Sequence, residues 1–262
     1  MKSKLPPIIP LVVLFIFGHA CSTPTLSLPS TSSPSTAIPS PSPTPSPLAS
    51  LESGEPVAQT PVPTVPVEAT PTQIPKYFTE EWEGKTTDWS WFSTRGDDNL
   101  WDVYNEADVL VFSLTGKNTY AYFIYNPWDY ENVQVSTQIE VRSITQSTTV
   151  IVCDYSDTVG WYEFNIGTNG LWEVRAHDTL GNTGYVSLMS GGSKAIHTGE
   201  GVNEYSATCI GNHLTLSING TQALDFTDEL MKFSQGKIGI GILSNSQVPI
   251  LAESAWVKIS QP

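Results

Sequence analysis

Two stretches of this chain place acidic, basic and aromatic side chains at alternate positions. In Trp161-Tyr-Glu-Phe-Asn-Ile166 one alternate set is Trp161, Glu163 and Asn165, and in Leu171-Trp-Glu-Val-Arg-Ala-His177 it is Glu173, Arg175 and His177. Neighbours on a β-strand point to opposite faces, so each set shares one face and leaves Tyr162, Phe164, Ile166 and Trp172, Val174, Ala176 on the other. Side by side, the two strands would present carboxylates, a guanidinium, an imidazole, an amide and an indole together, with Asp154 as a further carboxylate. Such a face suits a polyhydroxylated ligand: the indole stacks on an apolar ring face and the polar groups bond hydroxyls. The plainer alternative is an ordinary solvated outer face. Trp161 argues for the first, because a large indole gains little from facing water.

Cleaving a glycosidic bond with retention needs two carboxylates ~5 to 5.5 Å apart. Glu163 and Glu173 are the pair that neighbouring strands could bring together, and Asn165 cannot act as the acid. Glu163 is therefore the one catalytic candidate. The chain contains no Gly-x-Ser-x-Gly elbow and no His-Glu-x-x-His pair. Calcium is weighed at Asp97-Asp-Asn99 and at Asp225 with Asp228, since oxygen-rich loops can ligate it. Without an Asp-x-Asn/Asp-x-Asp-Gly array, turn capping is the simpler reading; Asp97 and Asp98 stand as the calcium candidates and no cofactor is expected.

These residues need strands to position them, and period-two alternation with β-branched and aromatic enrichment recurs across 109–114, 119–125, 133–141, 148–155, 161–166 and 171–177. It resumes, after a looser stretch, across 204–210, 213–219, 222–226, 237–243 and 251–259. Thr168-Asn169-Gly170, Gly211-Asn212, Asn219-Gly220 and Gln235-Gly236 punctuate the runs as turns. One short helix is expected, over 227–233. So many short strands predict an all-β, two-sheet antiparallel β-sandwich over residues 77–262.

The N-terminal residues read differently. Lys2 and Lys4 precede an apolar run over 11–17, which leads through Gly18-His19-Ala20 to Cys21. That pattern predicts an export signal of the lipoprotein type over 1–21, with Cys21 the acylated residue, the run being far short of the ~20 residues of a membrane-spanning helix. Residues 22–76 are dense in Ser, Thr and Pro, a composition that cannot bury enough apolar surface to offset ordering, so a disordered spacer is expected. At ~3.1 Å per residue it could reach on the order of 150 Å. The expected location is outside a bacterial cell, held to the membrane by lipid.

The chain's 262 residues carry 12 Lys and Arg against 26 Asp and Glu, a net charge of −14. Such acidity excludes nucleic acid as the natural partner, because phosphates would be repelled. Beyond Cys21 two cysteines remain, Cys153 and Cys209, each within a strand run. Export favours a disulfide between them, worth about 3 to 4 kcal/mol in the loop-entropy account, with two buried free thiols as the alternative. A zinc site is disfavoured, since Cys209 and His213 have no second pair at suitable spacing.

The ordered series at 149–155, 160–166, 203–220 and 236–241 resembles the concanavalin A-like jelly-roll superfamily, in particular the laminin-G-like and 3-keto-disaccharide hydrolase-like domains of bacterial surface lipoproteins. The resemblance covers residues 133–260, with 77–132 as a Trp-rich opening. It implies a jelly-roll sandwich, adds support for the Cys153–Cys209 disulfide, and points to carbohydrate or another extracellular ligand. The fold hosts lectins, hydrolases and adhesion domains alike. Jelly-roll glycosidases carry Glu-x-Asp-x-x-Glu on one strand, a run this chain lacks. Three readings follow in order: a membrane-anchored, non-catalytic carbohydrate-binding domain, a glycoside-active hydrolase using Glu163, and a protein-binding adhesion or scaffold domain. Replacing Cys21 by Ser is expected to move the protein out of the membrane fraction of a lipoprotein-acylating host; identical fractionation of variant and parent would show that Cys21 carries no lipid.

Overall fold

The computed structural model describes residues 73–84 and 86–262. The export signal, Cys21 and the spacer as far as residue 72 lie outside the described residues. What is described is built of strands: β1 (Phe78–Glu80), β2 (Trp89–Arg95), β3 (Trp101–Glu106), β4 (Val109–Leu114), β5 (Tyr120–Tyr130), β6 (Asn132–Val141), β7 (Ser147–Ser156) and β8 (Gly160–Gly167). The remainder are β9 (Leu171–Asp178), β10 (Gly184–Gly192), β11 (Gly201–Ile210), β12 (His213–Ile218), β13 (Thr221–Thr227), β14 (Gly236–Ser244) and β15 (Ile250–Ser260).

They form two antiparallel sheets. The first runs β13-β12-β11-β6-β15-β4-β3, with β1 paired to β15, and the second runs β10-β9-β8-β7-β14-β5-β2. Alternation decides what each strand buries. Tyr162, Phe164 and Ile166 of β8 and Leu214, Leu216 and Ile218 of β12 all join the one cluster between the sheets, as their phase predicts. The tight connection between β12 and β13 is Asn219-Gly220, both at positive φ (48° and 74°), the backbone that a two-residue hairpin turn requires and that Asn and Gly adopt most easily.

The expected strands are all present. The looser stretch before 204 holds β10, whose Ser- and Gly-rich sequence hides its alternation and whose pairing with β9 slips at a bulge between Ser187 and Met189. The short helix expected over 227–233 does not form. Asp228 gathers the backbone N–H groups of Leu230, Met231 and Lys232 on its carboxylate, but Lys232 takes a left-handed φ of 56°, so the capped turn cannot continue as a right-handed helix.

Cys153 of β7 and Cys209 of β11 are joined by a disulfide, with Cα atoms 6.7 Å apart and a sequence separation of 56. Because β7 and β11 lie in different sheets, the bond ties the two halves of the sandwich through its core. Replacing both cysteines by Ala is expected to leave the fold in place but lower its unfolding free energy by about 4 kcal/mol, measured by denaturant titration; an unchanged midpoint would show that the bond constrains nothing.

Candidate functional site

The strands position Trp161, Glu163, Asn165, Glu173, Arg175 and His177 on the predicted common face, the outer face of the second sheet. Register places Glu163 opposite Arg175, Asn165 opposite Glu173 and Trp161 opposite His177. The phase therefore holds, but the solvent exposure does not: Glu163 is 0% exposed, Trp161 3% and Asn165 5%. The reason is a second apolar cluster on this face, made of Tyr122, Ile124, Val150, Val152, Trp161 and Leu243, with Phe92, Tyr120 and Tyr155 packed against it.

The sheet curls around that cluster. Tyr185 of β10 bonds Thr94 of β2 through their hydroxyls at 2.6 Å, yet these are the sheet's two edge strands. Laid flat at ~4.8 Å per strand, the edges would stand ~29 Å apart, far beyond the combined reach of a tyrosine and a threonine. Gly239 and Gly241 of β14 make room in the middle. A Cβ on Gly239 would lie 2.5 Å from the Ile124 side chain, and one on Gly241 would lie 3.2 Å from the Tyr122 ring.

Glu163 lies at the centre of this face. Its Oε1 accepts from the Tyr122 hydroxyl at 2.7 Å and the Trp161 indole at 2.9 Å. Its Oε2 accepts from Arg175 Nη2 at 2.9 Å and Asn165 Nδ2 at 3.4 Å. The same Arg175 nitrogen donates to Asn165 Oδ1 at 2.9 Å. Burial pulls the Arg175 pKa down, but Glu163 and the neighbouring Tyr122 and Tyr120 more than reverse it, leaving it raised. Burial, reinforced by Glu163, pushes Tyr122 well above the ordinary tyrosine value. Trp161 stacks on the His177 ring at 4.0 Å, and burial lowers the His177 pKa despite the nearby carboxylates of Glu163 and Asp178. Trp161 is thus a wall of the domain rather than a surface for a ligand.

Three of the six reach an open groove of about 450 Å³ at one end of the face. Tyr120, Asn165, Leu171, Glu173, Arg175 and Ser190 line it. Arg175 Nε has no hydrogen-bond partner: the Glu173 carboxylate is 3.9 Å away, too far for a hydrogen bond. The Glu173 side chain is 37% exposed, and the Tyr120 ring lies beneath the Arg175 and Arg95 guanidinium groups. The groove offers free acceptors and an aromatic edge, while the unpaired Arg175 Nε is buried behind them. Tyr120, Tyr122 and Tyr185 went unnoticed as site residues in the sequence. For the first two a signal exists, since Tyr120-Ala-Tyr-Phe-Ile-Tyr125 is apolar on both phases, the pattern of a strand covered on both faces.

The remaining candidates lie elsewhere. Asp154 is at a bulge in β7 with φ 55°, and lines a cleft of about 760 Å³ at the opposite end of the sheet, with Asp129, Asp157, Asp178 and Lys237. It is 1% exposed, neither carboxylate oxygen has a partner, and burial raises its pKa to about 7. Asp97 Oδ1 accepts from the backbone and side-chain nitrogens of Asn99, capping a single 3₁₀ turn over Asp98–Leu100. Asp98 accepts from Ser93 and Trp101. These two carboxylates cap and brace a turn, and no cluster of metal-ligating side chains is present among the described residues.

The fold is a concanavalin A-like jelly roll. Among solved structures, the chain is similar to a Bacillus licheniformis β-glucanase, at 13% identity over 72% of this chain and 100% of that one with a TM-score of 0.52. It is similar too to a glycoside hydrolase family 16 endo-glucanase from Bacteroides ovatus, at 12% identity over 70% of this chain and 99% of that one with a TM-score of 0.51. A Bacillus subtilis protein of unknown function with a galectin-like fold aligns at 11% identity over 70% and 94%, with a TM-score of 0.51. At these identities the likeness is one of architecture. No protein-family model matches the chain and no curated protein matches its sequence.

The unpaired acid at Asp154 has a pH signature. Its folded pKa is raised above the ordinary 3.8, so its cost to the fold is absent below about pH 4, grows as pH rises, and is complete above about pH 7. Asp154→Asn, a residue that tolerates positive φ, is expected to stabilise the domain at pH 8 by at most about 4 kcal/mol and to have no effect near pH 4. Equal effects at both pH values, read by thermal or denaturant unfolding, would show that the carboxyl does not titrate in this range.

Proposed function

We propose that the domain is a non-catalytic carbohydrate-binding domain, carried outside the cell on a lipid-anchored spacer, and that the ligand enters the groove formed by Tyr120, Asn165, Leu171, Glu173, Arg175 and Ser190. The observation that carries the reading is the half-open Glu173 carboxylate beside the exposed Leu171 side chain in the groove. A saccharide hydroxyl can donate to that carboxylate. The exposed Leu171 side chain and the Tyr120 ring supply the apolar surface against which a sugar ring packs.

The same geometry weighs against glycoside hydrolysis. Glu163 uses both oxygens on protein donors and has no contact with water, and the Arg175 guanidinium stands between it and Glu173. A nucleophile or general acid has to meet the substrate. The β-glucanase and endo-glucanase above share the architecture, and a glucan-like ligand is accordingly the first to try.

The expected outcome is that the domain binds at least one immobilised glycan, and releases no product from it on prolonged incubation. Glu173→Ala, at a half-exposed position, is expected to keep the melting temperature and weaken binding about tenfold or more, as loss of a hydrogen bond to a charged group does. A parent protein that binds no glycan across a broad array would sink the carbohydrate reading and leave a protein ligand as the better one. Reducing sugar released by the parent but not by Glu163→Gln would sink the non-catalytic part.

A further inference from the structure

The structure's most exposed tryptophan lies away from the groove. Trp91 of β2 is 58% exposed, on the last strand of the second sheet, and its ring meets that of Trp101 edge-on at 5.2 Å with an interplanar angle of 87°. Trp101 opens β3, the last strand of the first sheet. The two rings therefore close one flank of the sandwich, one ring buried and bracing, the other presented.

Hydrogen bonds hold the platform in place. Trp101 Nε1 donates to Asp98 Oδ1 at 3.2 Å, and the Ser93 hydroxyl donates to the same oxygen. These two bonds lower the Asp98 pKa and keep its carboxylate charged. Asp98 is an exposed residue whose bonds to Ser93 and Trp101 both end on Oδ1, and Asn99 and Asp102 are exposed as well. An apolar protein partner laid on Trp91 would strip water from these groups and return nothing to them. A ring that is apolar on one face and lined with hydroxyl donors at its edge returns both contacts.

We infer that Trp91 is a second saccharide-binding platform, on which a pyranose ring stacks while its hydroxyls donate to Asp98. It shares a ligand class with the groove but rests on different residues, so either can fail alone. The test is a nitrogen-15 indole spectrum of the whole protein, titrated to millimolar concentrations with cellotriose, chitotriose and a β-linked galactotriose, and with choline as the cationic control. The Trp91 signal is assigned by its disappearance in Trp91→Ala.

The expected result is a saturable shift of the Trp91 indole with at least one trisaccharide and not with choline, unchanged in Glu173→Ala. Trp91→Tyr should retain most of the affinity that Trp91→Ala loses, a loss of about tenfold for a stacking contact. A Trp91 signal that stays still with every trisaccharide, or moves only with choline, overturns the inference whatever happens in the groove. A shift that vanishes in Glu173→Ala overturns it too, by showing one site rather than two. A Trp91 shift in a protein whose binding Glu173→Ala leaves untouched would uphold this platform and remove the groove.

Discussion

A carboxylate cut off from water has to find all its hydrogen bonds inside the protein, and Glu163 imposes that demand on the whole outer face of the second sheet. Leaving a buried charge unpaired costs about 3 to 5 kcal/mol, so the groups that satisfy it are fixed in place. They come from three strands: Tyr122 from β5, Trp161 and Asn165 from β8, and Arg175 from β9. Tyr122 and Arg175 carry the constraint further, to Tyr185 on one edge through a hydroxyl bond of 2.9 Å and a cation–π contact of 4.8 Å. One buried charge thereby sets the positions of aromatic rings across most of the sheet.

The curl of the sheet is the other half of that arrangement. Where Gly239 and Gly241 omit side chains, Tyr122 can lie across β14 and β7 to reach Glu163, and the edges draw in until Tyr185 meets Thr94. The resulting interior is packed, so what would be an open cleft in a flatter sheet is here a second core. The open groove lies at the periphery, where Asn165, Glu173 and Arg175 line one end.

Much of this was legible in the sequence. Alternation in 161–166 and 171–177 assigned the two phases correctly, because a strand's period of two admits no other solution once one set is apolar. What alternation could not say is whether the polar set meets water, since that depends on strands distant in the chain. The clue lay in β5 and β7, where Tyr120-Ala-Tyr-Phe-Ile-Tyr125 and Val150-Ile-Val-Cys153 are apolar at consecutive positions; such strands imply cover on both faces. Asp154 continues the alternation of Val150 and Val152, and the bulge that carries it to the other cleft is a feature of pairing with β8 that no local pattern shows. Trp91 was invisible for a similar reason: its exposure follows from β2 being an edge strand.

The two ends of the second sheet have different neighbours. Residue 76 is held where the Tyr130 hydroxyl donates to the Lys76 carbonyl at 2.8 Å and the Lys76 ammonium rests over the Trp128 and Tyr130 rings. Pro262 lines the same hollow, which shares Asp129 and Gln235 with the cleft of Asp154. Strand β8 starts beside that cleft at Gly160 and ends beside the groove at Gly167, a run of about 25 Å at the usual rise. Residue 76 and the mouth of the groove thus lie at opposite ends of the second sheet, so the chain enters the described domain on the side away from the groove.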